Sequence, residues 1–373
     1  MTGAGSPLAA LAVPDAFLED AHLAAARAVL DRVVGLGKTR LAYVSGSLAA
    51  GLGHGQSDVD MYVAAAGQPP QECSYREAGV VVQVNPLTGA DLELIAATCA
   101  EYADTADARP QISLSDTNYQ RTVRWAIGTV IAGSGEPLPP QDASATTMRR
   151  VLMNRNAYLL GSMAEDTLGA LEIGDALTAL HTSVLCLEAA IECALAGTGD
   201  LYFGPKFLLR RLARSAALRE VAGDAWDLLR QPAAPSLDGA AQLAVRRLLF
   251  CSHLVSVALL DGWDAPADAI PAFADRRGDG GPVRSPWVHP VRYADAWGMA
   301  GPQSGYRTMA GMVRLWHALN GQDMTHVHRE LARDSAGEPV SRDLLDQAVS
   351  QLIGNGAAVS DSGGIRSAER RRR

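Results

Sequence analysis

The stretch YVSGSLAAGLGHGQSDVDMYV, residues 43–63, decides how this chain folds. The apolar run that leads into it reads as a strand and ends at Gly46-Ser47, where a tight turn is expected. After a glycine-rich segment, the sequence from Asp58 predicts a second strand. Because strand residues alternate between faces, Asp58 and Asp60 are expected on the same face, about 7 Å apart along the strand.

These residue types suit a phosphate ligand and a metal ion. Gly46 has no Cβ, so the backbone at the turn can approach a phosphate closely. The Ser47 hydroxyl and the amides of a short helix over 48–52 can donate to the same anion. Asp58 and Asp60 offer hard oxygen ligands, and Mg²⁺ typically takes one or two carboxylates and completes its shell with phosphate and water.

The pattern Gly-Ser, ten residues, Asp-Val-Asp resembles the signature of the DNA polymerase β-like nucleotidyltransferase superfamily. This superfamily includes antibiotic nucleotidyltransferases and small-molecule adenylyltransferases. The resemblance implies that Gly46, Ser47 and Ser57 bind a nucleotide. It implies that Asp58 and Asp60 are catalytic and bind Mg²⁺, with either one or two metal ions. It also implies that ATP or another NTP is the donor.

One position departs from the family pattern. The resemblance implies a third carboxylate on a later strand, but the predicted strand over 79–85 carries Gln83 and Asn85 instead. Three interpretations follow. The site works with two acids and water-completed metals, another acid moves in, or the domain binds a nucleotide without efficient transfer. The nearest other acids are Glu77, Asp91 and Glu93.

The segment 199–214 looks like the part of the helical domain from which a lysine reaches the triphosphate in antibiotic nucleotidyltransferases. Lys206 is therefore a predicted phosphate ligand, and Arg210 would follow it on the same helix face. A solvated basic face explains both residues equally well. Glu188 and Glu192 form an i,i+4 carboxylate pair that would line an acceptor pocket, and a solvent-facing stripe is the alternative.

Three other side chains are open to two interpretations. Arg121 and Arg124 lie in a predicted helix and are either core-edge residues or nucleotide contacts. Tyr202 is a base-stacking candidate, although a core tyrosine is the simpler interpretation.

The predicted fold class is α+β. The C-terminal helices resemble a winged helix, similar to PqqD-like peptide-recognition domains and to DNA-binding wings, so a peptide partner is a candidate there. A packing or dimerisation module is the alternative. The expected divisions are a small mixed-sheet nucleotidyltransferase domain, a helical domain, a linker, a winged-helix-like domain and a basic tail, at 1–143, 144–263, 264–286, 287–362 and 363–373.

Composition excludes several other classes. The chain has 373 residues, 48% of them hydrophobic, which argues for a sizeable core. Its 33 Lys and Arg against 41 Asp and Glu give a formal charge of -8, which argues against a general nucleic-acid binder. The five scattered cysteines argue against a disulfide framework. No apolar run approaches the roughly 20 residues of a membrane span, and no secretion signal is evident, so a cytoplasmic protein is expected.

Together these observations predict an Mg²⁺-dependent nucleotidyltransferase. It would move NMP, by default AMP from ATP, to a hydroxyl, amine or carboxylate of a small molecule and release pyrophosphate. Specialised metabolism or antibiotic modification is the expected setting. The alternatives are a nucleotidyltransferase that modifies a peptide or protein, and a non-catalytic nucleotide- or nucleic-acid-binding protein that kept the fold.

Overall fold

The computed structural model describes residues 15–101, 115–133, 138–232, 236–274, 280–302, 304–334 and 341–360. Within these ranges a mixed five-stranded sheet is followed by long helices and then by a smaller part with short strands and three helices. This architecture agrees with the predicted α+β class. The predicted basic tail, 363–373, lies outside the described residues.

The five-stranded sheet is built from the first part of the chain. Its strand order is β3-β4-β2-β1-β5, and β2 and β4 are parallel while the other neighbours are antiparallel. The elements of this part are α1 (Asp20–Val33), β1 (Thr39–Ser45), α2 (Gly46–Ala49), β2 (Val59–Ala65), β3 (Cys73–Glu77), β4 (Val80–Pro86), α3 (Gly89–Glu101), α4 (Asp116–Ala126) and β5 (Thr129–Ala132).

The two faces of this sheet differ, as strand alternation requires. One face is apolar: Val44 of β1 and Met61 of β2 are fully buried in a cluster with residues of α1. The opposite face carries Tyr43, Asp60 and Tyr62, and the rings of the two tyrosines stack with their centroids 5.0 Å apart. The polar residues of the deciding stretch therefore lie on the face away from α1.

A layer of long helices follows the sheet. Asp175 caps α6 by accepting a hydrogen bond from Thr178 N, at 3.0 Å, and Ser236 caps α9 in the same way. The first helix of this layer runs across the boundary predicted at 143/144, so that boundary does not coincide with the end of a helix or strand. The helices are α5 (Gln141–Glu172), α6 (Ala176–Gly197), α7 (Leu208–Arg214), α8 (Ala222–Arg230) and α9 (Leu237–Asp261).

Two of these helices correct an expectation about membranes. By length and composition, α6 and α9 are long and apolar enough to cross a membrane, contrary to the expectation that no such stretch exists. The most apolar windows of the two helices are 67% and 83% buried inside the protein. Their apolar character is explained by their place in the helical core, where they pack against each other and against α5.

The segment 264–286, interpreted from the sequence as a linker, packs against the helices in its described parts. Ile270 is fully buried, and its amide donates to Ala217 O at 2.8 Å. The amide of Ala267 donates to Gly197 O at 2.9 Å. The prolines of this segment prevent a helix, but its apolar side chains still find partners, so it covers the helical layer instead of spanning solvent.

The C-terminal part has three helices around the fully buried Trp316. The strand after the third helix, β10, pairs with β6, which precedes all three helices. That these elements form a winged helix, and that they bind a peptide, are still predictions. The elements are β6 (Val283–Arg284), β7 (His289–Arg292), β8 (Trp297–Gly301), β9 (Ser304–Thr308), α10 (Ala310–Ala318), α11 (Met324–Asp334), α12 (Arg342–Gly354) and β10 (Ala358–Val359).

Candidate active site

The turn at Gly46 and the carboxylate of Asp60 meet in space. In the antiparallel pairing of β1 and β2, Ser45 lies directly opposite Asp60. Gly46 has a φ of 86°, which favours glycine, and a Cβ built on it would overlap Asp60 Oδ2 and lie 2.9 Å from Asp60 Cγ. The absence of a side chain at Gly46 is therefore what makes room for the carboxylate.

Asp58 lies beside Asp60 but in a different environment. The strand β2 begins at Val59, so Asp58 is the last residue of the preceding loop, and it is exposed. Burial raises the pKa of the Asp60 carboxyl, Arg124 lowers it, Asp58 raises it and Lys206 lowers it. The charges of one further carboxylate and of two cations therefore act on the Asp60 carboxyl.

The two serines of the deciding stretch have different neighbours. Ser47 is half-buried in α2, and its carbonyl accepts from Leu52 N at 2.7 Å, while its hydroxyl has no hydrogen-bond partner in the described part of the chain. Ser57 Oγ accepts from His54 N at 3.0 Å, which closes the loop that leads to Asp58. Because α2 is a single turn, the turn amides and the Ser47 hydroxyl, more than a helix dipole, are the donors available to an anion.

Lys206 approaches this site from the helical layer. It lies exposed in the 3₁₀ turn Pro205–Phe207, with Nζ 4.9 Å from the centroid of the Phe207 ring. The neighbouring Phe207 packs with Leu52 of the loop after α2, and the positive charge of Lys206 lowers the pKa of the Asp60 carboxyl. The predicted phosphate ligand is thus close to the predicted metal ligands, although the two are far apart in sequence.

Arg210 points to backbone carbonyls. Its Nη1 donates to Leu52 O at 2.9 Å and to Gly53 O at 3.1 Å. Arg214, one turn later on α7, donates to Ala50 O at 2.9 Å. These contacts correct the expectation that Arg210 follows Lys206 to the phosphates, because Lys206 lies in a 3₁₀ turn before α7, where the i+4 geometry of an α-helix does not apply. Arg210 instead fastens the loop after α2 to the helical layer.

Glu192 is part of a buried ion-pair network. Its Oε2 lies 2.7 Å from Nη1 of the fully buried Arg211, and its Oε1 accepts from Gly204 N at 3.1 Å. Arg211 also pairs with Asp200, at 3.1 Å. The expectation that Glu192 lines an acceptor pocket is therefore corrected, since its carboxylate holds the segment that carries Lys206. Sequence spacing predicts which helix face Glu192 occupies, but only tertiary packing decides which partner it meets.

Glu188 lies one turn earlier and is half-buried. Burial raises the pKa of its carboxyl, and the nearby His181 lowers it. Glu188 and Glu192 lie in different charge environments: Arg211 acts on the Glu192 carboxylate, and His181 acts on that of Glu188. Glu188 therefore stays an acceptor-site candidate.

Glu192→Gln is expected to lower the free energy of unfolding by about 3 kcal/mol, because it leaves the buried Arg211 with less compensating charge. Chemical denaturation monitored by circular dichroism measures this loss. Glu188→Gln, on the same helix and without an arginine partner, should change stability by less than about 1 kcal/mol. Equal stability of the two variants would show that the buried ion pair does not hold this segment.

The position expected to carry a third acid holds amides. The parallel register of β2 and β4 places Gln83 beside Asp60 and Asn85 beside Tyr62. Gln83 Oε1 accepts a hydrogen bond from the Ser74 hydroxyl of the neighbouring strand. The strand predicted over 79–85 exists as β4, and the residue on it that adjoins Asp60 is neutral.

The other acids suggested for this role are engaged elsewhere. Glu77 alternates to the opposite face of β3, where it forms an ion pair with Arg32 of α1. Asp91 pairs with Arg121 and accepts a hydrogen bond from Thr88 N at 2.8 Å. No group of three His, Cys, Asp or Glu side chains able to hold a metal occurs in the parts of the chain that the structure describes. Of the acids considered, Glu77 is excluded as a third ligand.

Arg124, left between two interpretations by the sequence, lies at the centre of the site. Ser45 Oγ donates to the Arg124 carbonyl at 2.8 Å, which fixes the end of α4 next to the turn. The Arg124 guanidinium carbon lies 4.9 Å from the ring centroid of Tyr202 and 5.2 Å from that of Phe203. Tyr202 is buried, so it serves as a core residue that also supports Arg124.

The donor set fits a magnesium ion that arrives with a phosphate ligand. Asp58 and Asp60 are hard oxygen donors, and the missing Cβ of Gly46 lets the Asp60 carboxylate lie directly against the turn. Two carboxylates are too few to surround the ion by themselves, so phosphate oxygens and water would complete its shell.

No protein-family model matches the chain, and no curated protein is significantly similar to it. Five chains of solved structures match. One of them is a nucleotidyltransferase-like protein from Exiguobacterium sibiricum 255-15, with 16% sequence identity and a TM-score of 0.36 over 64% of this chain and 76% of that chain. A similarity this distant shows neither the family nor the activity of this chain.

Proposed function

We propose that the protein is a nucleotidyltransferase, which moves a nucleoside monophosphate from an NTP to an acceptor. The observation that carries the proposal is the contact of the Asp60 carboxylate with Gly46, at a point where Asp58, Arg124 and Lys206 also converge. An oxygen or nitrogen atom of the acceptor attacks the α-phosphorus, and a hydroxyl or amine acceptor releases its proton to water. The bond from that phosphorus to the bridging oxygen breaks, and pyrophosphate leaves with the bonding electron pair.

The chain's own residues position the triphosphate. The amides of the Gly46-Ser47 turn and the free Ser47 hydroxyl donate to phosphate oxygens. Lys206 adds a positive charge on the side of the helical layer. Held by Asp58 and Asp60, Mg²⁺ would stabilise negative charge on the phosphoryl oxygens.

The proposed acceptor is a small molecule with a hydroxyl, amine or carboxylate. Because the Glu192 carboxylate pairs with the buried Arg211, we propose Glu188, which is half-buried, as the acid that faces the acceptor. ATP is the proposed donor, and antibiotic modification or specialised metabolism is the proposed setting, in the cytoplasm. No observation on the C-terminal helices favours a peptide acceptor.

A second candidate function is nucleotide binding without transfer. The observation that favours it is the neutral Gln83 beside Asp60, where a third carboxylate is expected. Incubation with α-³²P-labelled ATP, Mg²⁺ and a panel of acceptors separates the two. Transfer of label with release of pyrophosphate supports the enzyme. Saturable nucleotide binding without pyrophosphate release supports the binder.

Lys206→Ala is expected to raise KM for the NTP about tenfold with a small effect on kcat, because an exposed cation that binds the triphosphate is lost. Steady-state kinetics at varied NTP concentration measure both constants. The matched control is Lys38→Ala, since Lys38 is the chain's other lysine, is equally exposed and lies before β1. Equal KM values for the two variants would remove Lys206 from the proposed site.

A further inference from the structure

The guanidinium of Arg124 neighbours the Tyr62 and Tyr202 phenols as hydrogen-bonding groups, but one of its nitrogens is buried without a hydrogen bond. Its Nη1 atom is enclosed and has no hydrogen-bond partner within the described ranges. An unpaired buried donor is costly, and an unpaired nitrogen of a charged group is more costly still. The Ser45 hydroxyl holds the Arg124 carbonyl, and the guanidinium lies over the rings of Tyr202 and Phe203, neither of which offers Nη1 a hydrogen bond.

The direction of this side chain links it to the site. Arg124 interacts electrostatically with Asp60 and with the Tyr62 and Tyr202 phenols. Asp60 and Tyr62 lie on the same face of β2, and the Asp60 carboxylate lies against Gly46, whose neighbour Ser45 holds the Arg124 carbonyl. The aromatic rings restrain the guanidinium in one orientation, as a preorganised donor to an oxyanion requires.

The charges around Asp60 limit how many metal ions can bind there. Asp58 and Asp60 carry two negative charges, and Arg124 and Lys206 carry two positive charges. Two divalent ions side by side need several carboxylates to offset their repulsion. The neighbouring strand supplies the neutral Gln83, and a fixed guanidinium beside Asp60 repels a further cation.

We propose that Arg124 binds a non-bridging oxygen of the α-phosphate through Nη1 and replaces a second metal ion, so that the site works with one divalent ion. This inference rests on the proposed function and deepens it. In the transfer step, Arg124 neutralises charge on the phosphoryl group while Asp58 and Asp60 hold the single ion. A guanidinium in this role is worth a large factor in rate, because it acts where charge develops.

Manganese binding tests the proposal without turnover. Mn²⁺ replaces Mg²⁺ as a paramagnetic probe, and the electron paramagnetic resonance signal of free Mn²⁺ is followed in a titration of protein with a non-hydrolysable ATP analogue. We expect one Mn²⁺ bound for each protein–nucleotide complex. Two bound Mn²⁺ ions would overturn the proposal while leaving the proposed function intact, whereas no nucleotide-dependent Mn²⁺ binding would overturn both.

Variants of Arg124 provide the second arm. Arg124→Gln is expected to weaken binding of the Mn²⁺–analogue complex about tenfold or more, measured by calorimetry. Arg124→Lys, which keeps the charge, should retain part of that affinity. It is the variant to measure if Arg124→Gln fails to fold. The matched control is Arg121→Gln, which removes an equal charge one turn away on α4, where Asp91 pairs with it. Equal affinities for the Arg124 and Arg121 variants would refute the role of Arg124.

Discussion

Asp60→Asn is expected to reduce Mg²⁺-dependent transfer by about a thousandfold, because it removes the carboxylate that lies against Gly46 and that would bind the ion. The measurement is release of pyrophosphate from ATP in the presence of an acceptor. Asp58→Asn should also impair transfer, since the exposed Asp58 carboxylate completes the pair. Undiminished transfer by the variant that carries both changes would refute the assignment of the site.

The same substitution is expected to stabilise the ligand-free protein slightly. Burial raises the pKa of Asp60, so the folded state binds a proton on this group more tightly than the unfolded chain does. The charged form therefore costs stability at neutral pH, and that cost disappears as the pH falls below the unfolded value of about 4. Asparagine removes the cost, so thermal unfolding at pH 7 should occur at a higher temperature for Asp60→Asn.

The exposed Asp58 provides the comparison for this effect. Asp58→Asn should lose transfer activity without the gain in thermal stability, because its carboxylate remains in contact with water. A gain at pH 7 that persisted unchanged at pH 3 would show that the stabilisation does not come from the charge of Asp60. If Asp60 has a catalytic role and no stabilising one, Asp60→Asn should lose activity and gain stability.

Gly46→Ala is expected to cost about 3 kcal/mol of stability and at least a hundredfold in transfer. Two effects combine. Alanine is strained at a φ of 86°, and its Cβ would occupy the space of the Asp60 carboxylate. Either Asp60 must turn away or the β1–α2 turn must move, and both changes separate the carboxylate from the phosphate-binding amides.

Gly79→Ala separates these two effects. Gly79 has a φ of 85°, nearly that of Gly46, but a Cβ there would meet no atom within 4 Å. This variant should lose about 1 kcal/mol from backbone strain and keep its transfer activity. Chemical denaturation and pyrophosphate release are measured on both variants. If the two variants lost equal stability and activity, the contact with Asp60 would not be the reason for glycine at position 46.

Much of the first sheet could be predicted because the signals there are local. An apolar run predicts β1, alternation of polar and apolar residues predicts β2, and the Gly-Ser turn between two strands predicts the bend. The face of the sheet on which Asp60 lies follows from the alternation of side chains along a strand. The strand β4, which carries Gln83 in place of an acid, could also be predicted from the sequence, because an apolar run there ends at Pro86.

The sequence by itself determined that a strand ends in a glycine-serine bend and that a second strand carries Asp60, since turn chemistry and strand alternation act over a few residues. The expectation that Asp58 also stands on that strand was wrong, because β2 begins at Val59. Only the tertiary structure decided which charged side chains meet there. It brought Lys206 and Arg124 to Asp60, while Glu192 met Arg211 and Arg210 met the loop after α2. The reason is physical: a long side chain can reach several partners from one helix face, and packing of distant elements selects among them.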